Sequence, residues 1–145
     1  IIRGCGPVGY PGSAEVVNMQ PPDRLLKKGI NALPTLGDGR QSGTSESPSI
    51  LHVSPESAVG GDLAIVKTGD KMTIDLNKRR VDLQISKSEF IKRRKKKKIK
   101  KLTNQTPWQE ISRSNVGQLE DGACIMSRDQ YLDITKTKGV LRNSH

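Results

Sequence analysis

The chain has 145 residues, of which 32% are hydrophobic and 3% aromatic, and its formal net charge is +10. This length suits one domain, and so few large apolar side chains predict a small core that is completed against another domain or subunit. No signal peptide and no apolar run of about 20 residues is visible, which excludes a membrane-spanning helix. Two cysteines, Cys5 and Cys124, favour a reducing compartment, so we expect a cytoplasmic chain without membrane contacts.

The glycine-rich segment 4–12, GCGPVGYPG, predicts a loop, because glycine and proline disfavour helices and central strands. It matches no phosphate-binding motif, so an ordinary tight loop is the default interpretation. A short helix is predicted within residues 21–30, with Gly29 at its end. Residues 31–40 predict a short strand, and residues 47–61 predict a strand and then a helical turn that Ser54 and Pro55 open and Gly60 ends.

Residues 62–85 predict a β-meander, from an apolar run at 63–66, a turn at 68–70 and alternating strands at 72–76 and 81–85. Ser86 and Glu89 have the spacing of a capping box and predict the start of a helix. Further helices are predicted to begin after Thr106 and after Ser127, the second ending at Gly139. These elements indicate an α+β fold with a small β-barrel or sandwich and peripheral helices.

Almost all of the net charge comes from residues 92–101, KRRKKKKIKK, here called the basic tract. Nine of its ten residues are basic, which leaves a net charge of +1 on the rest of the chain. Runs of like charge are usually solvated, so we expect a solvated helix extension or connector. The alternative is a module that binds nucleic acid or acidic surfaces. Such binding would be non-specific and sensitive to salt, because the tract contains no aromatic residue for stacking on bases.

The sequence contains few residues of the types that bind metals or act in catalysis. His52 and His145 are too far from each other and from the two cysteines for a zinc site. Ser42 lies among small residues in GDGRQSGTSES, but no G-x-S-x-G elbow accompanies it, which disfavours a serine hydrolase. A turn role for Ser42, an ordinary carboxylate role for Glu15 and packing of His52 on its strand are the plain interpretations.

Four segments of the sequence resemble a known family: RGCGPVGYPGSAEVVNMQPP, GDGRQSGTSESPSIL, SPESAVGGDLAIVKTGDKMTIDLN and TPWQEISRSNVGQLEDGA. They are similar to the C-terminal part of dihydroxy-acid and phosphogluconate dehydratases, and most similar to the sugar-acid branch, the arabinonate and xylonate dehydratases. The resemblance implies a swivelling β/β/α domain of an enzyme that dehydrates an aldonate, such as arabinonate or xylonate, or a related 2,3-dihydroxy acid to the 2-keto-3-deoxy acid.

The same resemblance implies roles for particular residues. Glu15 matches a Mg²⁺ ligand and Ser42 matches the catalytic base, which needs no histidine partner. The Gly43 and Thr44 amides are expected to bind the substrate, and His145 is expected near its pocket. The ligands of an iron–sulfur cluster, expected to be [2Fe–2S], and most Mg²⁺ ligands belong to an N-terminal domain, so we expect no cofactor-binding residue in this chain.

The chain begins with Ile1, which suggests a fragment, a processed product or a truncated gene model. The resemblance implies that the chain is inactive alone, because most metal ligands lie elsewhere, and that the complete enzyme is a homo-oligomer. Residues 1–91 are expected to form the swivelling domain with the active-site loops, residues 92–104 a basic connector and residues 105–145 a helical extension. Two positions depart from the family pattern. Glu46 replaces a glycine and would repel a carboxylate substrate, and His52 replaces an asparagine.

Overall fold

The computed structural model describes residues 1–13, 21–40, 48–99, 102–103 and 105–138. In these ranges one short helix is followed by four short strands and then by three further helices, and two single turns of 3₁₀ helix precede the antiparallel hairpin. The elements are α1 (Asp23–Leu26), β1 (Thr35–Leu36), β2 (Ser49–Ile50), the turns Ser57–Val59 and Asp62–Ile65, β3 (Met72–Asp75), β4 (Arg80–Leu83), α2 (Lys87–Lys96), α3 (Pro107–Asn115), the turn Leu119–Asp121 and α4 (Arg128–Lys138).

The described strands form two separate two-stranded sheets. Strand β1 pairs in parallel with β2, and Ile2 adds a parallel bridge to Gly37 on the same sheet. Strands β3 and β4 form an antiparallel hairpin. The predicted mixture of helices and sheet is confirmed. The strands within the described ranges are only two to four residues long and close no barrel.

The predicted hairpin is confirmed in its alternation. Met72 lies opposite Leu83 and Ile74 opposite Val81, so the four apolar side chains share one face. The turn comes one residue earlier than predicted, because β3 ends at Asp75 and β4 begins at Arg80. The extension of the alternating strand to residue 76 is wrong, since the Leu76 side chain is 77% exposed.

The predicted strand at 63–66 is also wrong, because the chain forms the 3₁₀ turn Asp62–Ile65 there. An apolar run of this length is compatible with either structure when it is buried, and Leu63 is buried. The Arg3 guanidinium donates from Nη1 to the carbonyls of Leu63, Ala64 and Val66 at 3.2, 3.1 and 2.6 Å. These carbonyls are therefore satisfied by a side chain instead of a neighbouring strand.

The predicted helix starts and ends on either side of the hairpin are confirmed where they fall within the described residues. Gly29, just after α1, has φ +75° and its amide donates to Leu26. Thr106 forms a full capping box with Gln109 at the start of α3. Ser127 Oγ accepts from the amide of Gln130 at 3.2 Å at the start of α4. The predicted stop of α4 at residue 139 lies outside the described residues. No helix in the described part is long and apolar enough to cross a membrane.

The core is as small as the composition predicted. It centres on Leu36, Leu63 and Val66, and partly buried apolar side chains surround it. These neighbours are Ile50, Val53, Met72 and Leu83. Large apolar side chains on the later helices remain exposed, including Trp108 at 75%. Burial of apolar area therefore supplies little stability, and polar contacts matter correspondingly more.

The basic tract is not uniformly solvated, which corrects the expectation from its charge. The predicted helix extension is confirmed, because helix α2 runs into the tract as far as Lys96. Arg93 is only 12% exposed, and its guanidinium pairs with Asp70 and with Glu89, the latter at 2.8 Å. Lys97 Nζ donates to the carbonyl of Ser57 at 3.0 Å. These two cations attach α2 to the loops beside the core.

Glu89 completes only half of the predicted capping box. Its amide donates to Ser86 Oγ at 3.2 Å, but its carboxylate accepts from Arg93 Nε. Arg93 also donates to the carbonyl of Ile65 at 3.2 Å. The hydrogen bonds from Arg93 lower the pKa values of both Asp70 and Glu89. Arg93 thus attaches the helix to the Asp70 side chain and to the backbone carbonyl of Ile65.

We expect Arg93→Gln to lower the Tm more than Arg94→Gln does. Arg94 is a suitable control because it lies on the same helix, is 56% exposed, and its Nη1 lies 3.6 Å from Asp62. Exposed pairs contribute little, whereas Arg93 joins two carboxylates and a carbonyl. Thermal unfolding followed by circular dichroism measures the difference, and equal Tm shifts for the two variants would contradict this role of Arg93.

Candidate functional site

Two segments that lead into predicted site residues lie side by side. The amide of Ile2 donates to Leu36 at 2.8 Å, and the amide of Asp38 donates back to Ile2 at 3.3 Å. The glycine loop therefore begins directly beside the turn that follows β1. Glu15 comes two residues after the described part of this loop, and Ser42 comes two residues after the described part of the turn.

Asp38 joins these two segments through its side chain, which is fully buried. Oδ2 accepts from the amide of Gly4 at 3.0 Å, from the amide of Ser57 at 2.7 Å and from Ser57 Oγ at 2.6 Å. Oδ1 accepts from the amide of Cys5 at 3.1 Å. One carboxylate thus satisfies four donors from two different loops.

Burial by itself raises the pKa of Asp38, but hydrogen bonds from Ser57, Gly4 and Cys5 to the charged form outweigh burial and lower the pKa. The folded protein therefore binds this proton less readily than the unfolded chain, whose aspartates titrate near about 3.9. The resulting stability is present above about pH 4 and is lost as the pH falls through the folded pKa.

We expect this loss to be visible as a pH-dependent difference between the wild-type chain and Asp38→Asn. The wild type should exceed the variant in free energy of unfolding at about pH 6, and the difference should narrow as the pH falls from about 5 to about 2. Urea unfolding at each pH measures it. A difference that stays constant over this range would show that the charge of Asp38 contributes no stability.

Glu56 performs a similar task in the middle of the glycine loop, and it is also fully buried. Its Oε1 accepts from the amide of Val8 at 2.7 Å, and its Oε2 accepts from the amide of Gly9 at 2.9 Å. Gln118 Nε2 donates to Oε1 at 2.9 Å, while Gln118 Oε1 accepts from the amide of Glu56 at 3.0 Å. The carboxylate thereby connects the glycine loop to the segment after α3.

The glycine loop is packed too closely against Glu56 and against its own backbone to accept a side chain at Gly6 or Gly9. A Cβ on Gly6 would lie 2.6 Å from the Cβ of Glu56, and a Cβ on Gly9 would lie 2.6 Å from the carbonyl carbon of Gly4. Four of the loop's amides already donate to the two carboxylates. They are not free to hold a phosphate, so the ordinary tight loop is confirmed for the described part of this segment.

Cys5 and His52 are two further candidates for chemistry that lie in the described part of the chain. Burial and the charge of Asp38 raise the pKa of the Cys5 thiol, which makes it less nucleophilic. His52 is exposed and has φ +60°, so the expectation that it packs on its strand is wrong. Asparagine and histidine are both enriched in this backbone region, which is compatible with either residue at position 52.

The predicted site residues Glu15, Ser42, Gly43, Thr44 and His145 lie outside the described residues, as does Glu46. Whether Glu15 and Ser42 face one cleft therefore stays a prediction. The sequence reasoning overlooked Asp38 and Glu56. The available signals were an acidic residue between two glycines, GDG, and an acidic residue just after a proline, SPES.

The described residues do not by themselves offer a magnesium site. No group of three histidine, cysteine, aspartate or glutamate side chains converges within the ranges that the structure describes. Asp38 and Glu56 face amide donors, which occupy the oxygens that a cation would need.

A comparison with known protein families shows which family the four segments quoted above resemble. The model of the dihydroxy-acid/6-phosphogluconate dehydratase C-terminal domain matches residues 1–123. This chain belongs to that dehydratase family. The resemblance deduced from the glycine loop, GDGRQSG and the later segments is confirmed, and the match covers both buried carboxylates and Gln118 of this dehydratase domain.

Individual relatives agree with the sugar-acid branch of the dehydratase family. D-xylonate dehydratase of Caulobacter vibrioides is 54% identical over 134 residues, which is 92% of this chain and 22% of the relative. L-arabinonate dehydratase of Rhizobium leguminosarum is 50% identical over 93 residues, 64% of this chain and 16% of the relative. Dihydroxy-acid dehydratase of Thermodesulfovibrio yellowstonii is 40% identical over 126 residues, 86% of this chain and 22% of the relative. The chain therefore spans about a fifth of the length of these relatives.

Proposed function

We propose that this chain is the C-terminal domain of a hydro-lyase that dehydrates a sugar acid, an aldonate such as xylonate or arabinonate, to the 2-keto-3-deoxy acid. The observation that carries the proposal is the 54% identity to a D-xylonate dehydratase across 92% of the chain. Related 2,3-dihydroxy acids are the wider substrate class, since a dihydroxy-acid dehydratase is 40% identical over 86% of the chain.

The described geometry supports a site formed by two loops. Asp38 ties the start of the glycine loop to the turn after β1, and Glu56 fixes the middle of the same loop. Since Glu15 and Ser42 follow these two segments closely, the buried carboxylates are well placed to hold both predicted residues in position. Site groups need such rigid support to keep a productive geometry.

Ser42 is proposed as the base that removes the proton from C2 of the substrate. As the C2 electrons form a double bond to C3, the C3–O bond breaks, and the departing hydroxyl takes up the proton that Ser42 removed and leaves as water. The resulting enol becomes the 2-keto acid when its oxygen loses a proton and C3 gains one. The Gly43 and Thr44 amides are proposed to donate hydrogen bonds to the substrate, with His145 near its pocket. Glu46 would weaken substrate affinity through charge repulsion.

The proposed cofactors are Mg²⁺, with Glu15 as one ligand, and a [2Fe–2S] cluster held by the N-terminal domain. When bound, a divalent cation supplies positive charge that lowers the pKa of a nearby hydroxyl and neutralises a substrate carboxylate. The complete enzyme is proposed to be a cytoplasmic homo-oligomer. Within it, residues 1–91 form a swivelling β/β/α domain, residues 92–104 a connector and residues 105–145 a helical extension. The exposed Trp108 indole would suit burial against the remainder of such an enzyme.

A chimera tests this proposal. The matching segment of the Caulobacter vibrioides D-xylonate dehydratase is replaced by this chain, and 2-keto acid formation is assayed with D-xylonate, L-arabinonate and a branched 2,3-dihydroxy acid. We expect turnover of a sugar acid by the chimera and none by the isolated chain. Turnover of only the branched acid would refute the sugar-acid assignment, and turnover by the isolated chain would refute the need for an N-terminal domain.

Within an active chimera, Ser42→Ala should lower kcat by about 100- to 10,000-fold, the usual contribution of a general base. Ser47→Ala is the matched control from the same segment and should keep nearly full activity. Circular dichroism of both variants checks that each has folded. If Ser42→Ala kept activity within a few-fold of the unsubstituted chimera, Ser42 would not be the base.

A further inference from the structure

A cleft of about 450 Å³ lies between α2 and the 3₁₀ turn Asp62–Ile65, and its lining does not include the two buried carboxylates. Cationic side chains line it from both sides. Arg3 and Lys67 belong to one wall, and Lys92, Lys96 and Lys97 belong to α2 and the residue after it. Glu89 is the acidic residue of the lining. We call this surface the cationic cleft.

Most of the carboxylates and backbone carbonyls near the cationic cleft already form a hydrogen bond or an ion pair with a side chain of the protein. Arg93 engages Glu89 and Asp70, and Lys97 donates to a backbone carbonyl. Lys67 Nζ lies 3.9 Å from Glu89, whose carboxylate is already bonded to Arg93. Lys92 and Lys96 are exposed and have no hydrogen bond or ion pair to another described residue. The cleft therefore has an excess of positive charge.

The spacing of Lys92 and Lys96 brings two of these positive charges close together. Lys92 and Lys96 are four residues apart on α2, so they share a helix face and repel each other. Burial and the positive charge of Arg94 lower the pKa of Lys97, the negative charge of Asp62 partly opposes this, and Arg3 lowers the pKa further. A bound anion would relieve the repulsion among these groups, and lysine ammonium groups bind phosphate as point charges.

We propose that the cationic cleft binds an oligophosphate, an anion with two or more linked phosphate groups. Its volume falls in the range of small-ligand sites, and its cations converge from two walls, which suits a compact ligand of high charge. A nucleic acid strand fits this surface less well, because no aromatic side chain lines the cleft to stack on bases. The proposal does not depend on the dehydratase chemistry.

Isothermal titration of the 145-residue chain with inorganic tripolyphosphate, in buffer without divalent cations, tests the proposal. We expect saturable binding of one tripolyphosphate per chain, tighter than that of inorganic phosphate and weaker at higher salt. The double variant Lys92→Gln/Lys96→Gln should weaken binding by about tenfold or more, since each charged hydrogen bond contributes measurably. Lys92→Arg/Lys96→Arg should restore binding to within a few-fold.

The matched control is Lys27→Gln/Lys28→Gln, which removes the same charge from two exposed neighbouring lysines just after α1. It should leave the affinity within about twofold, because these lysines lie outside the cleft. Equal weakening by both pairs would show that net charge alone attracts the anion, and absence of saturable binding would reject the site. Tighter binding of a single-stranded oligonucleotide than of tripolyphosphate, at equal phosphate concentration, would overturn the proposal in favour of a nucleic-acid surface. Circular dichroism of each variant shows that the fold is kept.

Discussion

Replacement of Asp38 by alanine is expected to lower the free energy of unfolding by about 3 to 5 kcal/mol. The side chain is fully buried and accepts hydrogen bonds from Gly4, Cys5 and both donors of Ser57. Without the carboxylate these donors stay buried and unpaired, and each such group costs about 1 to 3 kcal/mol. A loss of this size is comparable with the whole stability of a small domain.

Urea unfolding followed by circular dichroism measures the effect of Asp38→Ala. Asp133→Ala is the matched control, because it removes the same side chain from a position that is 76% exposed on α4. We expect the control to change the free energy of unfolding by less than about 0.5 kcal/mol. A loss below about 1 kcal/mol for Asp38→Ala would mean that water or rearranged backbone replaces the carboxylate.

Glu56→Ala is expected to cost about 3 kcal/mol, because it frees the amides of Val8 and Gly9 and one amide proton of Gln118. Gln118→Ala should cost about 1 to 2 kcal/mol, since it removes one hydrogen bond to the carboxylate and one from the amide of Glu56. The two residues share these bonds, so their effects should not add.

A double-mutant cycle isolates this coupling. The double variant Glu56→Ala/Gln118→Ala should be less destabilised than the sum of the single variants by at least about 1 kcal/mol. Gln84 is the control, since it is bonded to Thr73 on the hairpin and has no bond to Glu56. Glu56→Ala and Gln84→Ala should therefore add. Additive effects for Glu56 and Gln118 would show that the segment after α3 does not support the glycine loop.

Part of the candidate site could be predicted from the sequence and part could not. The family segments place Glu15 and Ser42 after particular loops, which a resemblance can do without coordinates. The supports of those loops were missed, because an aspartate in GDG and a glutamate in SPES look like ordinary turn residues. Their importance follows from the donors of distant segments that surround them, such as Cys5 around Asp38 and Val8 around Glu56.

The sequence by itself determined the family, the β3–β4 hairpin and the starts of α2, α3 and α4. These depend on long matching segments, period-two alternation and capping residues a few positions from the helix, all of which are local signals. Only the tertiary structure decided that residues 62–65 form a turn, since Arg3 occupies the carbonyls there. The tertiary structure also decided that Arg93 and Lys97 of the basic tract contact other parts of the chain instead of being fully solvated. The physical reason is the same in each case: the partner of the polar group lies more than 20 residues away in the chain, where no local pattern can indicate it.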